Sequence, residues 1–430
     1  MSQLVGTHRA DAVIVGSSLT GLLLGSALAA SSMKTAIIDP SDVPDSSVSV
    51  TATVLCTDRY EKIAAVHGVD AAHQYAAALQ ARLHTLLSSP PPYVQEIPVY
   101  TYACSDVEGR LLEQQRALLN HLGISASTAP DAGGCPFPVE LSLATPSQAA
   151  VNLTQWQSAL KSSIRRQGGC FYTDRLITFI GNERVCTVRG SVEAQHVILT
   201  TGIPPGLRSK RLLALLESRL QVHCRLTSPF PLHSGQQSVL ADGLRLTPSA
   251  SGIFASWDAG RLGTRTQARH HAAMLQRLPR RMPDYPANDL QYRQIVYPMD
   301  GLPFIGRLPD ASVLWGAGDS VLDAMLAADM LARRVQGRFQ REDTLYAPER
   351  TIPDSFLRRQ LWRSAAVYAR NTLRTWAPSC SHCRCRLRYS TACQQWECPF
   401  CGSCYTMLGQ VCRGPCMRDA CISVRQRPDL

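Results

Sequence analysis

The chain has 430 residues, 45% of them hydrophobic and 18% charged. That balance excludes a disordered polypeptide, and the length exceeds one compact core, so two or three domains are expected. The net charge of +11 gathers at the C-terminal end, where residues 351–430 hold twelve arginines against four acids.

The N-terminus runs directly into a strand-like stretch without a signal peptide, and no apolar run of about 18 residues follows that would span a membrane; a cytoplasmic protein is expected. Residues 11–39 read as strand, glycine turn, helix and strand: DAVIV, GSSLTG, LLLGSALAASS and KTAIID. The turn Gly16-Ser17-Ser18-Leu19-Thr20-Gly21 fits the dinucleotide pattern G-x-G-x-x-G except that Ser18 takes the place of the second glycine. In that pattern the first glycine permits the tight turn, the second lets backbone approach a pyrophosphate, and the third lets the helix pack on the strand. Asp39, closing the second strand, is placed to accept hydrogen bonds from a ribose. Gly16, Ser18, Thr20, Gly21 and Asp39 are therefore the expected nucleotide-binding residues.

Residues 50–190 mix helical patterns with proline-rich joints such as SSPPPYVQEIP and are expected to form a second, substrate-facing layer. VEAQHVILTTG at 192–202 and DGLPFIGRLPDASVLWGAG at 300–318 return to buried strands, as in a discontinuous nucleotide-binding domain. His196 and Tyr172 read as structural. A basic amphipathic helix over 356–373 leads to a composition break, and ten of the sixteen cysteines lie between Cys380 and Cys421.

The segment DGLPFIGRLP at 300–309, preceded by RQIVYPM, resembles FAD-dependent oxidoreductases of the D-amino-acid-oxidase superfamily, especially the branch with a fused Rieske-type domain. Gln294, Asp300, Gly301, Leu302, Pro303, Ile305 and Gly306 match its W-S-G-Q…D-G-L-P-x-I-G segment. SVTATV at 49–54 resembles the threonine-rich loop near the flavin, TTG at 200–202 the end of a flavin-domain strand, and LYAPER at 345–350 the family's L-Y-D-P-S-R. The resemblance implies an α/β fold: a Rossmann-like FAD-binding domain with an interleaved α+β substrate domain over 1–350. A basic helical linker over 351–379 and a small cysteine-rich ribbon over 380–430 follow. It adds Thr51, Thr53, Thr201, Gly202, Gly306 and Gly318 to the cofactor-binding residues. It also implies oxidation of an amine or amino acid by hydride transfer to FAD, with dioxygen or an electron-acceptor protein reoxidising the flavin. The alternative is a non-catalytic FAD-fold scaffold whose tail binds metal and a partner.

The chain departs from the family after Gly318, where two expected glycines give way to Val321 and Asp323. Val321 would hinder close backbone approach to the flavin, and a carboxylate at Asp323 would disfavour its reduction. Arg293 and Gln294 are the catalytic candidates, Arg293 as a bidentate partner for a carboxylate.

In a reducing compartment a dense cysteine cluster reads as metal-binding rather than disulfide-forming. Cys380, His382, Cys383, Cys398 and Cys401 are the candidate ligands, and two readings compete. Trp396, Cys398, Pro399, Gly402, Ser403, Gly409 and Gly414-Pro415 resemble the cluster-binding part of a Rieske domain, with Cys401 replacing the second histidine, which implies a 2Fe-2S cluster. Equally, the two C-x-x-C knuckles suit a tetrahedral zinc site. The basic tail suggests nucleic acid only weakly, since arginine outnumbers lysine about tenfold along the whole chain.

Overall fold

The computed structural model describes residues 2–39, 48–129, 133–174, 176–227, 232–240, 243–250, 252–309, 313–316, 318, 320–373, 376–423 and 426. Ala317 and Asp319, in the stretch where the chain departs from the family, lie outside them.

A parallel core formed by Cys170–Thr173, Thr35–Asp39, Gly6–Val15, Gly190–Leu199 and Leu314–Gly316 builds the first sheet, with antiparallel strands at one flank. Burial on both faces falls on residues 12–15, 35–39 and 197–199, which read as mainly apolar runs, whereas residues 6–11 of the long strand Gly6–Val15 are mostly polar and largely exposed. The helix Leu19–Ala30 is apolar around most of its circumference because it is enclosed: Leu22, Leu24 and Leu28 share a core with Ile14 and Ile37 of the sheet, Ile164 of the helix Leu153–Arg166, and Leu322 and Leu326 of the helix Val321–Val335.

The second sheet runs in the order Ala287–Pro298, Leu216–Leu226, Gly252–Arg261, Arg245–Ser249, Gly235–Ser238, Val94–Ala103, Leu141–Asn152, Ser49–Ala52. Strand alternation separates its two faces. Leu220, Val222, Cys224, Leu226, Ala255 and Trp257 point outward onto Met274 and Leu278 of the helix Arg265–Arg281. On the other face Arg219, Gln221 and His223 alternate with them. The pairing sets Arg293 opposite Gln221, Asp258 opposite Gln221, and Ser256, the cross-strand neighbour of Arg245, opposite His223.

The tail forms a four-stranded antiparallel sheet of Arg388–Ser390, Gln395–Glu397, Cys404–Tyr405 and Val411–Arg413. Among the described residues it has no separate core: Cys385, Leu387, Trp396 and Tyr405 belong to the same buried cluster as Val13, Val15 and Ile38 of the first sheet. The helix Asp354–Thr372 that leads to it packs Phe356, Leu357 and Tyr368 on this cluster, and Arg363 reaches Glu217 at 2.9 Å. What the sequence suggests as a linker is fastened to the body along its length.

Candidate functional site

The glycine turn forms as the sequence implies. Gly16 adopts φ +111°, and a Cβ there would lie 2.9 Å from Thr200 Oγ1 and 3.0 Å from Thr201 Cγ2. At Gly21 a Cβ would come within 2.2 Å of the Gly16 carbonyl oxygen, so only glycine lets the helix start against the strand end. Ser18, at the family's second glycine, caps the helix: its hydroxyl accepts from Gly21 N–H at 3.3 Å and donates to Thr200 O at 2.9 Å. The side chain is thus turned back, while the N–H groups of Leu19 and Thr20 stay without intrahelical acceptors, as in any first helical turn. Asp39 closes its strand beside the turn and accepts from the Ser17 hydroxyl.

Thr200, Thr201 and Gly202 lie directly across this turn. Thr200 Oγ1 donates to Gly16 O at 3.0 Å, and Gly202 O accepts from the Trp315 indole at 2.9 Å. The Thr201 hydroxyl oxygen is buried without a hydrogen-bond partner, a costly state that a polar ligand would relieve. The cradle closed to a Cβ, the open helix N-terminus, the orphaned hydroxyl and the carboxylate together fit a dinucleotide.

The residues expected near the other end of such a cofactor divide. Thr51 lies on Ser49–Ala52 with its hydroxyl 2.8 Å from that of Thr247 on Arg245–Ser249, so it cross-links two strands of the second sheet. The Thr53 hydroxyl accepts from Leu55 N–H and shapes the turn into the helix Thr57–His67. Gly318 is required by packing, since a Cβ would meet Ala324 N at 2.3 Å at the start of the helix Val321–Val335. Gly306 lies against Pro348 and Arg334, so protein contacts account for that glycine.

Asp323 corrects the expectation of a free negative charge. Its carboxylate is fully buried and takes Arg59 Nη1 at 2.6 Å, the Tyr75 hydroxyl at 2.8 Å and the Ser320 hydroxyl at 2.7 Å. The charge is neutralised by Arg59 and directed into the helices. Val321 is buried in the main core. Nearby, Asp300 and Arg350, from the two matched family segments, form a bidentate ion pair at 2.8 Å, with His67 adding a 3.0 Å contact. Burial raises the Asp300 carboxyl, but Arg350 and His67 outweigh it and hold it at about 2.

Facing the helix Thr57–His67 is the polar side of the second sheet. Tyr297 donates to Asp58 at 2.7 Å and accepts from Lys62 at 3.1 Å, with the Arg219 guanidinium 5.6 Å from its ring centre. Arg219 pairs with Asp258 at 3.0 Å. His223, 1% exposed, is pushed down to about 3 by burial and by Arg293 and Arg245. Its Nε2 lies 3.1 Å from Gln221 Oε1, which makes Nε2 the donor, and its Nδ1 is a buried acceptor without a partner. Arg219, Arg245, Arg293 and Lys62 thus lie on or against this face, with Asp58, Asp258 and Glu217 as the opposing acids. Of the two catalytic candidates, Arg293 belongs here. Gln294 does not: strand alternation turns it to the opposite face, where its amide donates to Ser218 Oγ at 3.0 Å and Gly402 O at 2.9 Å. Sequence reasoning missed Arg219, His223 and Arg245; their only signal was alternation along strands whose partners are distant in sequence.

In the tail the sulfurs of Cys380, Cys383, Cys398 and Cys401 all lie within 4.8 Å of one another. His382 is not among them. Its ring Nε2 lies 2.8 Å from Leu207 O, so the expected histidine ligand serves as a contact between tail and body.

A family model described as "FAD dependent oxidoreductase" (DAO) matches residues 11–334. The chain belongs to this family. Among solved structures it is similar to glycine oxidase from Geobacillus kaustophilus, at 18% identity and TM-score 0.64 over 80% of this chain and 100% of that one. It is also similar to L-amino acid deaminase from Proteus myxofaciens, at 12% and 0.57 over 81% and 96%. Iminodiacetate oxidase from Chelativorans sp. BNC1 matches at 14% and 0.59 over 78% and 98%. No curated protein matches the sequence. No described helix is long and apolar enough to cross a membrane.

Proposed function

We propose that the protein is a flavin-dependent oxidoreductase acting on a small amino acid or related carboxylate-bearing amine, with a metal ion held by the cysteine knuckles of its tail. The observation that carries the reading is the inner face of the second sheet, where a buried neutral imidazole acceptor, His223 Nδ1, sits beside Arg245 and Arg293 on the face that also carries Arg219. An amino acid needs both features: guanidinium groups for its carboxylate and a neutral acceptor for an amine N–H. The neighbouring folds named glycine oxidase, L-amino acid deaminase and iminodiacetate oxidase support the same substrate class.

Gly16, Ser18, Thr20, Gly21, Asp39, Thr201 and Gly202 would hold the FAD, with its pyrophosphate at the N-terminus of Leu19–Ala30. When bound, FAD supplies the acceptor for the hydride leaving the carbon next to nitrogen. The chain's own contribution is positional: the arginines fix the carboxylate, His223 orients the amine, and the sheet and helix exclude water. The resulting imine takes up water and gives a 2-oxo acid with ammonia from a primary amine, or with a primary amine from a secondary one.

The test is anaerobic flavin bleaching by a panel of amino acids, secondary amines and dicarboxylic amines. Bleaching by at least one, with Arg293→Gln and Arg245→Gln raising KM about tenfold to hundredfold, supports the reading. A flavin-loaded protein that none of them bleaches favours the scaffold alternative, which the replacement of family glycines by Val321 and Asp323 motivates.

A further inference from the structure

Four thiolates around one zinc ion, with Zn–S bonds of about 2.3 Å, lie at the corners of a tetrahedron whose edges measure about 3.8 Å. The sulfurs of the tail approach that figure: Cys383 to Cys398 is 3.5 Å, Cys383 to Cys401 3.6 Å and Cys380 to Cys401 3.7 Å. A two-iron cluster would divide the four sulfurs into two pairs, one on each iron, separated by the width of the cluster. Here the two knuckles interpenetrate, and Cys383 is as close to both cysteines of the other knuckle as adjacent ligands of a single ion would be.

The surroundings suit thiolates. Cys380, Cys398 and Cys401 are buried, the Tyr405 hydroxyl stands 3.1 Å from Cys380 Sγ, and the Ser403 hydroxyl 3.1 Å from Cys401 Sγ. Cys401 N–H points to Cys398 Sγ at 3.5 Å, the amide-to-sulfur contact of a knuckle turn. Cys385, buried next to Cys398, lies outside the group of four.

The residues flanking the ligands bind the body. Gly402, directly after Cys401, has φ +74°, and a Cβ there would fall 1.9 Å from Ser218 Oγ. Its carbonyl accepts from Gln294. Pro399 O, between two ligands, accepts from Arg261 Nε at 3.0 Å, and Glu397 accepts from Gly263 N–H at 2.9 Å. Pro415 O accepts from Gly206 N–H at 2.8 Å, in the segment that follows Gly202.

We propose that the tail holds one zinc ion in a site made of Cys380, Cys383, Cys398 and Cys401, and that this ion is a structural brace fixing the tail to the outer face of the substrate sheet. Four thiolates in a tetrahedron around one ion suit zinc, which imposes no geometry of its own and is held in closed structural sites of this kind. The proposal refines the reading that the knuckles bind metal and is independent of the flavin chemistry.

The test is metal, sulfide and flavin analysis of the full-length protein purified without added metal. One zinc per chain without acid-labile sulfide, released by an organomercurial as one equivalent, supports it. Two irons with sulfide, one iron, or no metal overturns it. A zinc-loaded protein without flavin leaves this inference standing and removes the proposed reaction. Cys383→Ser should lose the zinc and Cys385→Ser should keep it; the organomercurial titration of unaltered protein still decides if the first variant does not fold. Gly402→Ala should retain zinc yet become cleavable by protease within residues 376–423. Continued protection of that variant overturns the docking role.

Discussion

At the scale of single residues, two buried groups carry charge decisions with measurable consequences. Asp300 sits between Arg350 and His67, fully buried. Asp300→Asn leaves the guanidinium without its counterion in a site from which water is excluded, and about 3–5 kcal/mol of stability should be lost. Chemical denaturation near pH 7 measures it. Because the carboxyl is held at about 2, its contribution is complete above the ordinary carboxylate range and disappears as pH falls toward 2. His223 acts with the opposite charge. Folded, it stays neutral down to about 3; unfolded, it takes a proton near 6.5. Between these values the unfolded chain binds more protons, so stability drops as pH is lowered. From pH 7 to pH 5 unaltered protein should lose about 2 kcal/mol more than His223→Gln; equal losses would mean that His223 is not buried neutral. Sequence alone reaches Asp300 through its motif and overlooks His223, because a histidine in an alternating strand looks the same whether it faces a site or a neighbouring side chain. Gln294 shows the converse: the motif singles it out, and one residue of alternation places it against the tail.

At the scale of elements, what could be read in the sequence is what is local. The turn from Gly16 to Gly21 and the carboxylate of Asp39 are visible because one strand, one helix and the next strand are consecutive, and their spacing already states the geometry. Gly21 gives the sharpest prediction. A methyl group 2.2 Å from the Gly16 carbonyl oxygen must push the helix Leu19–Ala30 off the strand end. Gly21→Ala should therefore cost about 1–3 kcal/mol and lower the flavin content of the purified protein. Asp39→Ala should lower flavin content with little change in the stability of the flavin-free chain, and unchanged flavin retention would count against its role. The helix Val321–Val335 shows what local reading misses. Loss of two family glycines suggests a charge set against the flavin, but the partner of Asp323 is Arg59, from a helix more than 260 residues earlier in the chain. No local pattern announces such a pair.

At the scale of the molecule, the composition break near residue 351 suggests a separable module, yet burial shows a shared interior. Trp396, Leu387 and Tyr405 complete the cluster that contains Val13, Val15 and Ile38, and the helix Asp354–Thr372 lies against the same residues. Cysteine spacing pointed to the four sulfurs that cluster; it could not reveal that apolar side chains behind them face the nucleotide sheet, since a short strand in a ribbon has the same pattern whether it covers its own core or another. Removal of residues 376–430 would uncover one side of that cluster together with Ser218 and Gln294, and would leave Arg261 and Gly263 without Pro399 and Glu397. Exposed apolar area of this kind costs about 25 cal/mol per Å², enough over several large side chains to exceed the margin by which most folded chains are stable. The truncated chain should therefore aggregate or be recovered without flavin, and the full-length protein should unfold in one transition, with zinc release and loss of tryptophan burial at the same denaturant concentration. Two separated transitions, or a truncated chain that keeps its flavin and its thermal midpoint, would mean that the tail is carried by the body rather than built into it.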